Sequence, residues 1–499
     1  MSSLRERMNR LRGSGGSGGG SGDGSAGGLR AGSVGGEPDS PAKPDRTVEP
    51  GTRGTAGPDR AAGLDGAAGP LPESGGTVPR GGPIPDAMPD GLPPSGEDEP
   101  LDPAWTAMGV ARLVNEEGEC LLRRVVYPLE HRHGHHRLGE LVECAPALAA
   151  LCGTGAADAA PDAERILFLD LETTGLGVGA GNVPFMTGIA YVEGGRFVIE
   201  QTLIRHPAEE RAMLADLRRK LKERPYLATY NGRTFDWPLL KGRFIMNGFG
   251  RGAAAEPLHL DFLHPSRSIW RNTLASLRLS HVEEERLGIA REDDVPGSMA
   301  PIIYFRYLQD GNPGPLGGVF RHNELDMLSL ACLAIRFGRL LSGGLGRHVP
   351  LPEEDEEMLR TGFWLERMGR ADEAEALYER LAGRETAGPW CLPLAARDKR
   401  CGNWRRAVLL WQKAAQAAER QGWASGEAHI ELSMYYEHRA KDYQQALRYA
   451  SAALELAVRR SSLGRFDAKK RAEQEAIRRR IERLEKKAER SRAREQTLF

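Results

Sequence analysis

Short, nearly continuous apolar runs predict strands in ILFLDL, which Arg165 opens, and in NVPFMTGIAYVEG and RFVIEQTLIR after it. Gly194 and Gly195 mark a hairpin-like turn between the last two. The pattern then becomes helical in HPAEERAMLADLRRKLKERP, with Met213, Leu214, Leu217 and Leu221 on one side and Pro225 beyond its end. PYLATYNG predicts a fourth strand and LHLDFLH a fifth. FDWPLLKGRFIMNG, between them, predicts a helix that tolerates Pro238 in its first turn. Three strands and a helix, followed by strand, helix and strand, predict an α/β domain over about 161–345, a mixed sheet flanked by helices.

Past about residue 350 the pattern is wholly helical and repeats. RMGRADEAEALYERL, RCGNWRRAVLLWQKA and HRAKDYQQALRYASAAL align with Ala374, Ala407 and Ala446 in register, at spacings of 33 and 39 residues. A small residue where two helices approach is what stacked helical hairpins need, so residues 350–465 resemble tetratricopeptide repeats, without their usual final proline. Residues 466–499 predict a basic C-terminal helix with an apolar stripe at Ile477, Ile481, Leu484 and Ala488, a capping helix with a solvated face.

Ahead of the α/β domain, residues 101–160 read as a preamble: a short helix in AWTAMGVARLV, then a strand in GECLLRRVVYPL. The tract EHRHGHHR, with His131, His133, His135 and His136, reads as a solvated loop, because only Glu130 stands near them as an acidic partner. Residues 1–100 are rich in Gly, Pro and Ser, with too few large apolar side chains to offset the entropy of ordering. A disordered linker-like tail is expected there.

Bulk properties narrow the function less. The 499 residues carry a formal net charge of -1, so the total points to no polyanionic partner, although a local basic groove can hide in a balanced sum. Six scattered cysteines lack a C-x-x-C pair, which excludes an encoded zinc ribbon or disulfide framework and fits reduced thiols in a cytoplasmic protein. No signal-peptide core or membrane span is visible, and no membrane partner is expected.

The chemistry lies in charged residues set in apolar runs. Asp170 and Glu172 in FLDLETTGL are two apart on a strand and project to one side, where two like charges need a cation. Thr173, Thr174 and Gly175 follow as a polar turn that lets a substrate backbone come close. Asp236 opens a helix after Asn231-Gly232-Arg233-Thr234 and brings a third carboxylate. His322 and Asp326 lie four apart on the predicted helix HNELDMLSLACLAIRFG, hence on one face. Oxygen donors without cysteine select Mg²⁺ or Mn²⁺, two of which can activate water and stabilise a leaving phosphodiester oxygen, with His322 as general base. Helix capping would explain Asp236 but not the Asp170 and Glu172 pair. GLGVGAGN lacks the G-x-G-x-x-G fingerprint, so dinucleotide binding is not expected. Asp261 reads as a satisfied strand-end residue, and Arg233, Arg267, Arg271 and Arg278 as candidates for phosphate contacts.

DLETTGL, NGRTFD and HNELD are similar to the three motifs of the DEDD (DnaQ-like) exonuclease superfamily, on a ribonuclease-H-like fold. HLDFLHPSRSIWR and RLSHVEEERLGIAREDDVPGSMAPIIYFRYL look like its YprB-like branch. The resemblance implies 3′-to-5′ exonuclease chemistry on DNA or RNA. It implies Asp170, Glu172, Asp236 and Asp326 as ligands of two Mg²⁺ or Mn²⁺ ions, His322 at the base position and Asn231 at the second motif's asparagine. One departure stands out: three residues separate His322 from Asp326, where the histidine type usually has four. The rival class is a nucleic-acid-binding protein, or a tetratricopeptide adaptor that recruits a protein partner, with a weakly active or inactive nuclease-like domain.

Overall fold

The computed structural model describes residues 101–152, 160–175, 181–253, 255–421, 425–462 and 468–497. The tail expected over 1–100 and most of GLGVGAGN lie outside these residues. The apolar runs build a seven-stranded sheet from β1 (Val110–Asn115), β2 (Gly118–Pro128), β5 (Ile166–Thr173), β6 (Pro184–Glu193), β7 (Arg196–Leu203), β8 (Tyr226–Thr229) and β9 (Leu258–Asp261). β3 (Arg132–His133) and β4 (His136–Arg137) form a separate hairpin. The strand order is β1-β2-β7-β6-β5-β8-β9, antiparallel from β1 to β5 and parallel from β5 through β8 to β9. Gly194 and Gly195, with φ of 55° and 72°, make the two-residue turn between β6 and β7 that a right-twisted hairpin requires.

Two sequence expectations change. In AWTAMGVARLV the helix is only α1 (Pro103–Ala107). Gly109, at φ 75°, ends that turn, and from Val110 the chain pairs with β2, so the expected preamble supplies an edge of the sheet. EHRHGHHR is not a solvated loop. Gly134, at φ 54°, folds it into the β3–β4 hairpin against the long helix of the α/β domain, where His133 Nε2 lies 3.2 Å from Ser329 Oγ and His136 is buried. Burial pushes both imidazoles down to about 4, so they stay neutral where they pack.

Period-two burial divides β5 between two layers. Leu167, Leu169 and Leu171 face α2 (Glu210–Glu223) and α3 (Asp236–Met246), packing with Leu214, Leu217, Leu240 and Phe244. Ile166 and Phe168 face the other way, into a core shared with Met327 and Ala331 of α6 (Leu316–Leu341). α4 (Leu263–Trp270) follows β9, and α5 (Ala300–Asp310) precedes α6. Asp170 and Glu172 continue the face of Ile166 and Phe168, so the topology turns them toward α6.

The C-terminal region is all helical: α7 (Asp355–Arg367), α8 (Ala371–Ala382), α9 (Cys391–Cys401), α10 (Trp404–Gln421), α11 (Glu427–Tyr435), α12 (Tyr443–Ser462) and α13 (Ala468–Thr497). Neighbours pack as α7 with α8, α9 with α10 and α11 with α12, and α13 lies on α12. Ala374, Ala407 and Ala446 have no exposed surface, as a close helix approach demands. Glu437 is buried among Arg480, Arg483 and Lys487 of α13; burial opposes its charge, yet these cations hold its carboxyl down to about 2. Part of the basic face expected to be solvated is thus spent on docking the helix. Phe337 of α6, Trp270 of α4 and Trp364 of α7 share one core, and Trp270 Nε1 donates to Glu357 at 3.0 Å.

Candidate active site

Asp170 stands opposite Gly188 of β6. A Cβ on Gly188 would lie 1.9 Å from Asn323 Oδ1, so the glycine makes room for Asn323 of α6, whose Nδ2 donates to Asp170 Oδ2 at 3.1 Å. Gln201 Nε2 donates to Asn323 Oδ1 at 3.0 Å and fixes which way the amide points. Gly188→Ala is expected to displace Asn323 and to destabilise the fold by about 1–3 kcal/mol, the usual cost of overpacking. Urea unfolding would measure this; unchanged stability would mean that Asn323 relaxes freely.

Glu172 sits beside the irregularity in β5–β6 pairing at Glu172/Thr173 and meets α6. One ligand-type atom from each of Glu172, His322 and Asp326 lies within 4.8 Å of the others. His322 Nε2 is 3.5 Å from Asp326 Oδ2, so the three-residue gap still lays both side chains together along one helix face.

Asp236 enters from the far side of the sheet, buried in the first turn of α3. Asn231 adopts φ 71°, and Asp261 at the end of β9 ties down the loop before Asp236. Its carboxylate accepts from the backbone N–H groups of Asn231 at 2.8 Å, Arg233 at 3.1 Å and Leu263 at 3.1 Å. Asp261 is therefore the satisfied strand-end residue expected of it, and it also shapes the loop. Thr173 is buried and its hydroxyl donates to Gly175 O at 2.7 Å, while Asn231 is exposed and its Oδ1 accepts from Thr234 at 2.7 Å.

The carboxylates repel one another in a place that water reaches poorly. Burial, then Asp326, Glu172 and Asp236, raise the Asp170 carboxyl well above its ordinary range. Burial, only partly offset by His322, pushes Glu172 up to about 7. Asp236 also rises to about 7, through burial and then Asp261. Such a set is short of positive charge.

Three residues to which the sequence alone assigns no role supply charge and orientation. Besides Asn323, these are Arg291 and Asp294. The buried Arg291 guanidinium donates to Asp326, to Asp294 at 2.9 Å and to Glu283 at 2.6 Å. Asp294 in turn lies 2.8 Å from His322 Nδ1, which leaves Nε2 as the imidazole nitrogen directed toward Asp326. Asn323 stands inside HNELD, and Arg291 with Asp294 in AREDD of the YprB-like stretch, a lone arginine among acids, but no spacing rule links that stretch to His322.

A mixed sheet with helices on both faces, and an acidic cluster where β5 meets the covering helix, define a ribonuclease-H-like protein. Residues 167–337 match the RNase_H superfamily. The chain is 33% identical over 362 residues to "Uncharacterized protein YprB" of Bacillus subtilis (strain 168), an alignment that covers 72% of this chain and 86% of that one. It belongs to the YprB family, within the RNase_H superfamily. Among the described residues no helix is long and apolar enough to cross a membrane.

Proposed function

We propose that this protein is a divalent-metal-dependent exonuclease that hydrolyses nucleic acid from the 3′ end by a two-metal mechanism. The observation that carries this reading is the crowding of Asp170, Glu172 and Asp326, with Asp236 close enough to raise Asp170 and Glu172 further. These residues fit a divalent cation: their donors are hard oxygens, and the excess negative charge that lifts their pKa values is what such an ion relieves. Asp170, Glu172, Asp236 and Asp326 would hold two Mg²⁺ or Mn²⁺ ions, which supply an activated water and neutralise charge on the leaving oxygen. His322, held at Nδ1 by Asp294, accepts a proton at Nε2. Asn323 fixes the orientation of Asp170, and Thr173 and Asn231 border the site as contacts for the substrate backbone. We read 161–345 as the catalytic unit, 350–465 as tetratricopeptide-like repeats open to a protein partner, and the cytoplasm as the compartment.

End-labelled DNA and RNA oligonucleotides incubated with Mg²⁺ or Mn²⁺ test this. Mononucleotide release from the 3′ end and stepwise shortening of 5′-labelled strands are expected. No product from single-stranded or duplex substrates with either metal would sink the enzymatic reading. The pairing of Arg291 with Asp326 favours a second reading, a nucleic-acid-binding protein of weak activity, because a guanidinium already neutralises one proposed ligand. Under that reading Arg291→Ala raises the hydrolysis rate instead of lowering it.

A further inference from the structure

The acidic site is connected to a second charged feature of opposite sign. Asp261, which holds the loop of Asn231 and Arg233, ends β9, and α4 begins two residues later. Arg267 on α4 and Arg271 just past its end are both exposed and four apart, so they lie on one face. α7 packs against this helix and presents Arg360, Phe363 and Arg367 at spacings of three and four, likewise along one face. Together these side chains line a cleft of about 500 Å³ between the sheet domain and the first C-terminal helix.

The cleft's charge is one-sided. Of its lining residues four are arginines and one, Glu356, is acidic. Glu356 is already engaged with Arg360 at 2.7 Å and with Asn272 at 2.7 Å. Arg367 donates to Ser268 Oγ at 3.1 Å, and Arg360 reaches Ser268 O at 3.5 Å, so two guanidinium groups are braced against the opposite wall. Arg267 and Arg271 project from that wall, exposed to solvent. Phe363, half-buried between Arg360 and Arg367, offers a ring among the cations. Guanidinium groups in a row with an aromatic face between them match the alternation of phosphates and bases along an unpaired strand. Tyr378 lies against this ring at 5.8 Å between centroids, and an acidic peptide would use the charge but bring no base to stack on the part of the ring that remains open to the cleft.

We propose that this cleft binds the backbone of single-stranded nucleic acid, with Arg267, Arg271, Arg360 and Arg367 on phosphates and a base stacked on Phe363. The strand runs along α4 from the cleft to the acidic site, passing exposed His264 and Arg233. The proposal rests on the nuclease reading only for what occupies the cleft, and it adds a track that engages the substrate several nucleotides from the end being cleaved.

The test is fluorescence anisotropy of the full chain in EDTA with 5′-labelled 20-nucleotide oligo(dT) and oligo(U), over a range of salt. Arg267→Gln with Arg271→Gln is compared with a control that removes two remote surface charges, Arg306→Gln with Arg459→Gln. Each phosphate on a single strand that a guanidinium no longer neutralises lowers the salt slope by about 0.7, so the cleft pair should lower it by about 1.4 and the control by nothing. Phe363→Leu keeps an apolar side chain without the stacking face and should weaken binding about tenfold. Equal weakening on oligo(dT) and oligo(U) assigns the cleft to the shared phosphodiester backbone. Cleft and control variants with the same slope and affinity as wild type would overturn the proposal, as would binding of a poly-glutamate peptide without binding of either oligonucleotide. If wild type cleaves oligonucleotides while the cleft variants bind normally, the nuclease reading stands and the cleft falls. Binding abolished in the cleft variants of a protein that cleaves nothing gives the reverse.

Discussion

Glu172→Gln is expected to make the metal-free protein more stable and the enzyme nearly inert. Burial pushes the Glu172 carboxyl up to about 7, from an ordinary 4.5, so it holds its proton more tightly folded than unfolded. The stability this provides is fully present below about pH 4.5 and disappears as pH rises through 7. In EDTA the wild-type melting temperature should therefore fall between pH 5 and pH 8. Glutamine removes the buried charge, so the variant should melt higher than wild type at pH 8 and depend less on pH. Mn²⁺ should raise the wild-type melting temperature at pH 8 by binding the folded state, and much less in the variant. Hydrolysis should drop on the order of 10³-fold, which corresponds to the several kcal/mol a bound cation contributes to charge stabilisation. Scanning fluorimetry with and without Mn²⁺, beside oligonucleotide turnover, reads both effects. A variant that melts lower than wild type in EDTA would show that Glu172 is held by favourable partners and that the site is not short of cations.

His322→Ala is the second large effect. A general base contributes about 10²–10⁴ in rate, and a drop of that size is expected here with the Mn²⁺ concentration for half-maximal activity unchanged. Burial alone would lower the imidazole pKa, but Asp326, Glu172 and Asp294 together raise it above the ordinary 6.5. The base must be neutral, so the wild-type rate should climb with pH through a value above 6.5 and flatten beyond it. Asp294→Asn removes one of the groups that favour the charged form and should shift that limb toward lower pH. His322 also lies near enough to Glu172 and Asp326 to act as a ligand itself. A large rise in the Mn²⁺ requirement of His322→Ala, with its rate restored at saturating metal, would assign it that role instead.

The sheet from Ile166 onward is legible in the sequence because burial on both faces leaves nearly continuous apolar strands, and a carboxylate within one is conspicuous. Asp170 and Glu172 need only the two-residue period, and His322 and Asp326 only the four-residue spacing, to be assigned a common side. β1 is less legible. Its exposed edge position gives a weak alternation, and the strand identity comes from pairing with β2, which local sequence does not encode. The histidine tract misleads for a similar reason: whether His133 and His136 meet water depends on α6, whose Ser329 lies 196 residues beyond His133 in the chain. Asn323, Arg291 and Asp294 stay hidden because their roles exist only across elements. An asparagine beside a candidate histidine has no meaning until Gly188 leaves a space for it.

α6 has one further consequence. Fifteen residues, or about 22 Å of helix, separate His322 near one end from Phe337 near the other. Phe337 packs on Trp364, whose own helix supplies Arg360 and Arg367. A deletion past residue 345 would therefore not release an intact ribonuclease-H-like unit. It would remove the wall against which the helix carrying His322 and Asp326 is braced, so that damage at the C-terminal helices would register first as misalignment of groups at the opposite end of α6.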